Sequence, residues 1–268
     1  MTALQEPCPG ASILSSPLAT AALLALGIAS TGVYGQEKRS GPAFVDATLQ
    51  YGLEGLPGGK AAWGDFDADG WVDLYVPGQL WHNVKGKRFE RVPKTSLRGE
   101  GIWGDYDNDG RPDLFCWPRT LYHNLGEGRF ADVSARLPKA PMHQSRGAAW
   151  GDFDRDGRLD LYVGGYERPS YQPDAVYRND GKGGFTLAWQ TAVRPCPARG
   201  ICVADYDEDG DLDVYVSNYR LVANALLRND GKGRFTNVAH KAGVDGDGGL
   251  GAWGHTIGSA WGDLDDDG

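Results

Sequence analysis

The chain has 268 residues, 41% hydrophobic and 24% charged, with a formal net charge of -9 at pH 7. This composition excludes fibrous and low-complexity classes and suffices for one large domain or two small ones; the acidic balance argues against nucleic acid, whose phosphates call for the opposite sign. Glycine is the outlier at 40 residues, which outside a collagen repeat implies many tight turns and hence many short strands.

In chain order, the first feature is an apolar run over residues 18–28, followed by small residues and then the polar Gln36, Glu37, Lys38 and Arg39. The run is too short to span a bilayer and has the length of a signal-peptide core, although no Lys or Arg precedes it. Residues 1–35 are therefore expected to be a signal peptide and the protein to be secreted, periplasmic or at a cell surface. No other segment is apolar enough to cross a membrane, so the mature chain is expected to lack a transmembrane segment, and there is no Asn-x-Ser/Thr sequon.

Residues 36–268 are organised by a repeat. Five segments align: Trp63–Gly70, Trp103–Gly110, Trp150–Gly157, Val203–Gly210 and Trp261–Gly268. Their first aspartates, Asp65, Asp105, Asp152, Asp205 and Asp263, are 40, 47, 53 and 58 residues apart. Such steps suit one four-stranded propeller blade. A second motif alternates with the first, at His82–Phe89, His123–Phe130, Arg178–Phe185 and Arg228–Phe235. Its Asn-Asp-Gly and Gly-x-Gly units supply positive φ, as a hairpin turn requires. Each repeat thus reads as strand, aspartate loop, strand, linker, strand, glycine turn and strand. No amphipathic helix stands out after the leader.

The strand after each loop is well marked: Val72–Val76, Pro112–Cys116, Leu159–Val163 and Leu212–Val216 alternate between an apolar face and one carrying Asp and then an aromatic. The strand before each loop is small and glycine-rich, as near a propeller axis, and the recurrent Trp63, Trp103, Trp150 and Trp261 are expected to pack between blades. The linkers Glu167–Pro173 and Asn218–Asn224, and the connections Pro138–Arg146 and Pro195–Arg199, are expected to project from one face, where binding usually resides. Of the four cysteines, Cys8 falls in the leader and Cys116 in a strand as a small apolar residue. Cys196 and Cys202 are spaced for a local disulfide or stand as two unpaired thiols, both readings being open.

Numbered from its first aspartate, each complete loop carries carboxylates at positions 1, 3, 5 and 9 and glycine at 6, with the position 7 carbonyl as a further donor. The candidate ligands are Asp65, Asp67, Asp69, Trp71 and Asp73; Asp105, Asp107, Asp109, Arg111 and Asp113; Asp152, Asp154, Asp156, Arg158 and Asp160; and Asp205, Asp207, Asp209, Asp211 and Asp213. The last loop adds Asp263, Asp265 and Asp267. Hard oxygens at alternate positions of a tight turn suit Ca²⁺, one ion per complete loop and four in all; Mg²⁺ is second choice, and zinc would want His or Cys among the ligands, of which none is expected. Position 12 is Val76, Cys116, Val163 or Val216 rather than the Glu of an EF-hand. Carboxylates this close repel one another without a cation. Nineteen of the 36 acidic residues fall at positions 1, 3, 5 and 9, so the acidity is read as ligand charge, which four Ca²⁺ would offset by +8.

These motifs resemble the FG-GAP/VCBS repeats of integrin α-subunit propellers. With Phe44-Val-Asp-Ala-Thr48, which resembles the family's Phe-x-Asp-Val-Thr segment, they are most similar to the ASPIC/UnbV and cartilage-acidic-protein type, over roughly residues 44–268. The resemblance implies an exported, Ca²⁺-stabilised propeller used for adhesion or recognition of a protein or glycan. The expected fold is all-β, a propeller of four-stranded blades with four full blades and the start of a fifth. Because the fifth loop reaches only position 6 at Gly268, the ring is expected to be incomplete, truncated at the C-terminus and continued by further blades in the native gene. The alternative function is a propeller enzyme, a polysaccharide lyase or hydrolase. The histidines lend that little support: His82 and His123 occupy the repeat position of Arg178 and Arg228 and read as scaffold variants, while His143, His240 and His255 are isolated, and there is no Gly-x-Ser-x-Gly elbow. Tyr166, Tyr171 and Tyr219 in the insertions favour recognition.

Overall fold

The computed structural model describes residues 44–139, 145–167, 172–192, 197–246 and 254–263. The leader, Cys8, His143, Tyr171, Cys196, Asp265 and Asp267 lie outside these described residues. The chain divides into two compact units, Met1–Val45 and Asp46–Gly268, and every strand named below belongs to the second.

Among the described residues sixteen strands form four antiparallel sheets, each in simple chain order. The first blade comprises β1 (Ala62–Gly64), β2 (Asp73–Val76), β3 (Gln79–Asn83) and β4 (Phe89–Arg91). The second comprises β5 (Gly101–Gly104), β6 (Asp113–Cys116), β7 (Thr120–Asn124) and β8 (Phe130–Asp132). The third comprises β9 (Ala148–Gly151), β10 (Asp160–Val163), β11 (Ala175–Asn179) and β12 (Phe185–Gln190). The fourth comprises β13 (Ala198–Ala204), β14 (Asp213–Asn218), β15 (Ala225–Asn229) and β16 (Phe235–Asn237). The inner strands β1, β5, β9 and β13 are successive neighbours, so the blades are arranged as a β-propeller. Helix among the described residues is limited to one turn at Ser134–Arg136 and α1 (Ala239–Ala242), which stops on Gly243 in the left-handed conformation.

The register is the same in every blade. The last residue of the inner strand pairs with the position 9 aspartate: Gly64 with Asp73, Gly104 with Asp113, Gly151 with Asp160 and Ala204 with Asp213. The aspartate loop is therefore the hairpin between the first two strands. The third strand returns beside the second, which brings the start of the glycine turn to the same end.

The core lies between blades. Tyr75, Leu80 and Leu114 are buried between the first and second, Phe115, Leu161 and Tyr177 between the second and third, and Tyr162, Val176 and Val214 between the third and fourth. All four residues of β2, β6 and β10 are buried. Trp103 meets Tyr75 of the first blade edge-on at 6.1 Å, and Trp150 meets Phe115 of the second at 6.3 Å, as an inter-blade role requires. The glycines after Trp63 and Trp103 make room for the next Trp: a Cβ on Gly64 would lie 2.5 Å from the Trp103 ring, and one on Gly104 2.6 Å from that of Trp150. Trp63 packs instead on Phe89 of its own blade and is 58% exposed. Trp261 stacks on Tyr206 and meets Tyr215 edge-on at 6.2 Å, the relation Trp103 has to Tyr75. Cys116 is buried, as its strand setting predicts, and Cys202 is a free thiol 3.1 Å from the Ser259 hydroxyl.

Candidate metal centres

Each aspartate loop is shaped by its own carboxylates. The position 1 carboxylate accepts two backbone N–H groups, Asp65 from Asp69 and Gly70 (3.1 and 2.8 Å), Asp105 from Asp109 and Gly110 (3.0 and 2.8 Å), Asp152 from Asp156 and Gly157 (3.0 and 2.8 Å), and Asp205 from Asp209 and Gly210 (3.1 and 2.8 Å). The position 5 carboxylate takes the N–H of position 7, that of Trp71, Arg111, Arg158 or Asp211. The tight path requires left-handed backbone twice. Position 4 accepts it in Ala68, Asn108, Arg155 and Glu208, with φ between 55° and 59°, and position 6 is glycine throughout.

Position 9 differs from the rest. Asp73, Asp113, Asp160 and Asp213 open the second strand of their blades and are fully buried. Each accepts the N–H of position 2 on one oxygen and, on the other, the N–H of an asparagine in the glycine-turn motif: Asn83, Asn124, Asn179 or Asn229. Burial raises Asp73 and Asp213 to about 6 and Asp160 to about 7, against those backbone donors; Asp113 is raised for the same reason. Burial also raises Asp67 and Asp154 at position 3, whose Oδ1 atoms are buried and without a hydrogen-bond partner.

These carboxylates converge. One oxygen from each of Asp65, Asp67 and Asp73, of Asp105, Asp107 and Asp109, and of Asp152, Asp154 and Asp156 lies within 4.8 Å of the others. Closely set carboxylates with buried, unpartnered oxygens and raised pKa values are a donor set short of positive charge, which a cation would supply. The loop of the fourth blade repeats the hydrogen-bonded frame at Asp205, Asp209 and Asp213. Asp263 is among the described residues, while the rest of its loop is not.

The FG-GAP-like repeat family matches residues 65–116, 105–163 and 166–216, more than half of the chain. The chain belongs to that family. No curated protein matches it. A solved structure, described as that of an Agrocybe aegerita lectin recognising non-reducing terminal N-acetylglucosamine, is 18% identical with a TM-score of 0.44. The match covers 65% of this chain and 49% of that one, so the chain spans about half the length of that structure.

The FG-GAP loops depart from the sequence expectation in one respect. His82 and His123 are not bystanders of the scaffold. His82 Nε2 lies 3.4 Å from Asp67 and 3.3 Å from Asp69, and His123 Nδ1 lies 3.3 Å from Asp107 and 3.1 Å from Asp113. In the first two loops, where the sequence reading placed no histidine among the ligands, a ring nitrogen lies close enough to the carboxylate oxygens that it could share a cation with them. The cause is strand pairing: β3 and β7 return antiparallel beside β2 and β6, so their last residues but one reach back over the loop. In the third blade the same place holds Arg178, 3.5 Å from Asp154. The side chains at position 7 also differ, since those of Arg111 and Arg158 pair with Asp109 and Asp156 of their own loops, and Asp211 pairs with Arg155 of the preceding blade.

Proposed function

We propose that this FG-GAP propeller is an exported Ca²⁺-binding recognition module, non-catalytic, that uses its metal-stiffened blades to present a surface to a protein or glycan. The observation that carries the reading is the repeated loop, in which carboxylates at positions 1, 5 and 9 are held by backbone N–H groups and the position 3 carboxylate of the first and third loops keeps a buried oxygen without a hydrogen-bond partner. Oxygen-rich, flexible sites of this kind suit Ca²⁺ better than the stricter octahedron of Mg²⁺. An ion in each of the four complete loops would tie the first hairpin of a blade to its second strand through position 9. The apolar run at residues 18–28 and the millimolar Ca²⁺ that weak extracellular sites need both favour export. Among the described residues no helix is long and apolar enough to cross a membrane.

The test is a melting curve of the full chain in EDTA and with Ca²⁺ restored, together with calorimetric titration. Ca²⁺ should raise the melting temperature, with dissociation constants of roughly 10⁻⁴–10⁻³ M. Asp154→Ala should remove one site and leave the others, because blades are nearly independent units. A melting curve indifferent to Ca²⁺ would sink the metal reading.

A further inference from the structure

At the end of the propeller opposite the aspartate loops, basic and aromatic side chains gather near the axis. The Arg199 guanidinium on β13 lies between the rings of Tyr166 and Tyr219, 5.1 Å from each. The buried Glu167 carboxylate accepts from Arg199 Nη2 at 2.9 Å and from Arg220 Nε at 2.8 Å. Arg220 also faces Tyr219, whose ring packs 4.5 Å from His255. Arg146 lies over Tyr166 at 5.8 Å. Lys60, which precedes β1, reaches across the axis: its Nζ donates to the Arg146 carbonyl at 2.8 Å and the Arg199 carbonyl at 3.3 Å, above the Trp117 ring.

The charges at this end do not cancel. Lys60, Arg146, Arg199 and Arg220 face two carboxylates, Glu167 and Glu100, in a chain whose net charge is -9. Burial holds the Lys60 ammonium below the ordinary lysine value; Glu100 opposes this, and Arg199 and Arg146 add smaller contributions in the same direction as burial. Donors remain available. Among the described residues the Arg146 guanidinium makes no hydrogen bond or ion pair, and the Nη groups of Arg220 make none. The rings and Glu167 fix these cations in place, so little side-chain entropy is lost when an anion arrives. Beside them the axis opens into a cavity of about 510 Å³, bounded by Lys60 and Arg199 with apolar walls that include Trp63, Trp117 and Ile257.

Lys60 and Arg199 line this cavity, and Arg146 and Arg220 lie next to them outside its lining, Arg146 through its carbonyl on Lys60 and Arg220 through Glu167 shared with Arg199; such a setting suits a ligand that carries both a charge and a hydrophobic face. A sugar acid has this form: C–H groups on a ring face and a planar carboxylate that a guanidinium can grip with two parallel hydrogen bonds. We infer that this end of the axis binds an acidic saccharide through its carboxylate, with Arg146 and Arg220 as the residues that contact the charge. The inference rests on the recognition reading and gives it a ligand class.

The probe is D-glucuronate, titrated into the full chain in Ca²⁺ and followed by saturation-transfer NMR, beside its uncharged methyl ester and a hexaglutamate peptide. The acid should bind, the ester at least about tenfold more weakly, and Arg146→Ala and Arg220→Ala should each weaken the acid by about tenfold, as expected for a charge-assisted contact. Arg146 is exposed and makes no ion pair among the described residues, so Arg146→Ala should melt like the parent; Arg220→Ala also takes a partner from the buried Glu167 carboxylate, so its effect on binding is read at temperatures where melting shows it folded. Equal binding of acid and ester, indifference to both substitutions, or no binding of the acid would overturn the site. Preference for hexaglutamate would overturn the saccharide class. Binding of any neutral sugar or peptide that ignores both arginines would sink this site while leaving recognition standing, whereas Ca²⁺-indifferent melting would sink only the metal reading.

Discussion

The side-chain amide of Asn179 donates to the carbonyl of Tyr106 at 2.6 Å, across the boundary between the second and third blades. The same nitrogen donates to Leu159 within its own blade, while the backbone N–H of Asn179 goes to the position 9 carboxylate of Asp160. The arrangement recurs one blade earlier and one later: Asn124 reaches the Phe66 carbonyl at 2.7 Å, and Asn229 reaches that of Phe153 at 2.8 Å. Each acceptor is position 2 of the preceding aspartate loop. A single asparagine thus joins the candidate metal loop of one blade to that of the next.

Asn179→Ala should cost about 1–3 kcal/mol, because it strands two buried carbonyls without shrinking the apolar core. Asn179→Asp should cost more, since it sets an acceptor against two acceptors and a second carboxylate beside Asp160. Urea melts of the three proteins check this. An Ala variant as stable as the parent would show that the amide does not hold the blades together.

Trp150 and Gly104 should be coupled. Trp150→Ala should cost about 3–5 kcal/mol, as for other large core aromatics. Gly104→Ala should be harmful alone, since its Cβ would sit 2.6 Å from the Trp150 ring, and much less harmful once that ring is gone. A double-mutant cycle measures the difference. Additive effects would contradict a direct clash.

The four-stranded repeat, the strand order within it and the inter-blade packing of Trp103 and Trp150 are legible in the sequence because each leaves a mark at a fixed place in the repeat. The asparagine latch leaves the same kind of mark, yet in sequence it reads only as a turn former. Asn does favour turns, but what distinguishes Asn124, Asn179 and Asn229 is an acceptor more than fifty residues away in sequence. His82 and His123 mislead for a related reason. Their variation against Arg178 and Arg228 suggests a neutral surface position, and only strand pairing shows that all of these sites overhang the loop. The basic cluster is illegible because Lys60, Arg146, Arg199 and Arg220 lie far apart in sequence and share no repeat position; only the closing of the inner strands round one axis brings them together.

In EDTA the protein should become more stable as the pH falls from 8 towards 5. Asp160 at about 7, and Asp73 and Asp213 at about 6, lie above the ordinary value of about 3.9 for an unfolded aspartate. The folded state therefore binds protons that the unfolded state has shed, so the burden of buried charge is fully present above pH 7 and is lifted as the pH falls through these values. With Ca²⁺ present the trend should reverse, because protons compete with the ion for the same oxygens. Thermal melts at several pH values, with and without Ca²⁺, decide the point. Parallel curves in the two conditions would refute it.

The first two loops should differ from the others in metal preference. Imidazole suits Co²⁺ and Zn²⁺, whereas Ca²⁺ takes oxygen, and among the described residues only the first two loops place a ring nitrogen within 3.4 Å of their carboxylates. In the third blade Arg178 stands at that place and offers no lone pair. Replacing both histidines, His82→Asn with His123→Asn, should therefore leave Ca²⁺ stoichiometry unchanged and remove the tighter Co²⁺ sites, with loss of the visible absorption that a nitrogen ligand imparts to bound Co²⁺. Melting in Ca²⁺ should be nearly unaltered, since each ring is partly exposed and its hydrogen bonds are to carboxylates that would be engaged by the ion. If Co²⁺ binds the double variant with the parent's affinity and spectrum, the ring nitrogens are not ligands. If Ca²⁺ sites disappear along with the histidines, the rings position the loop rather than select its metal.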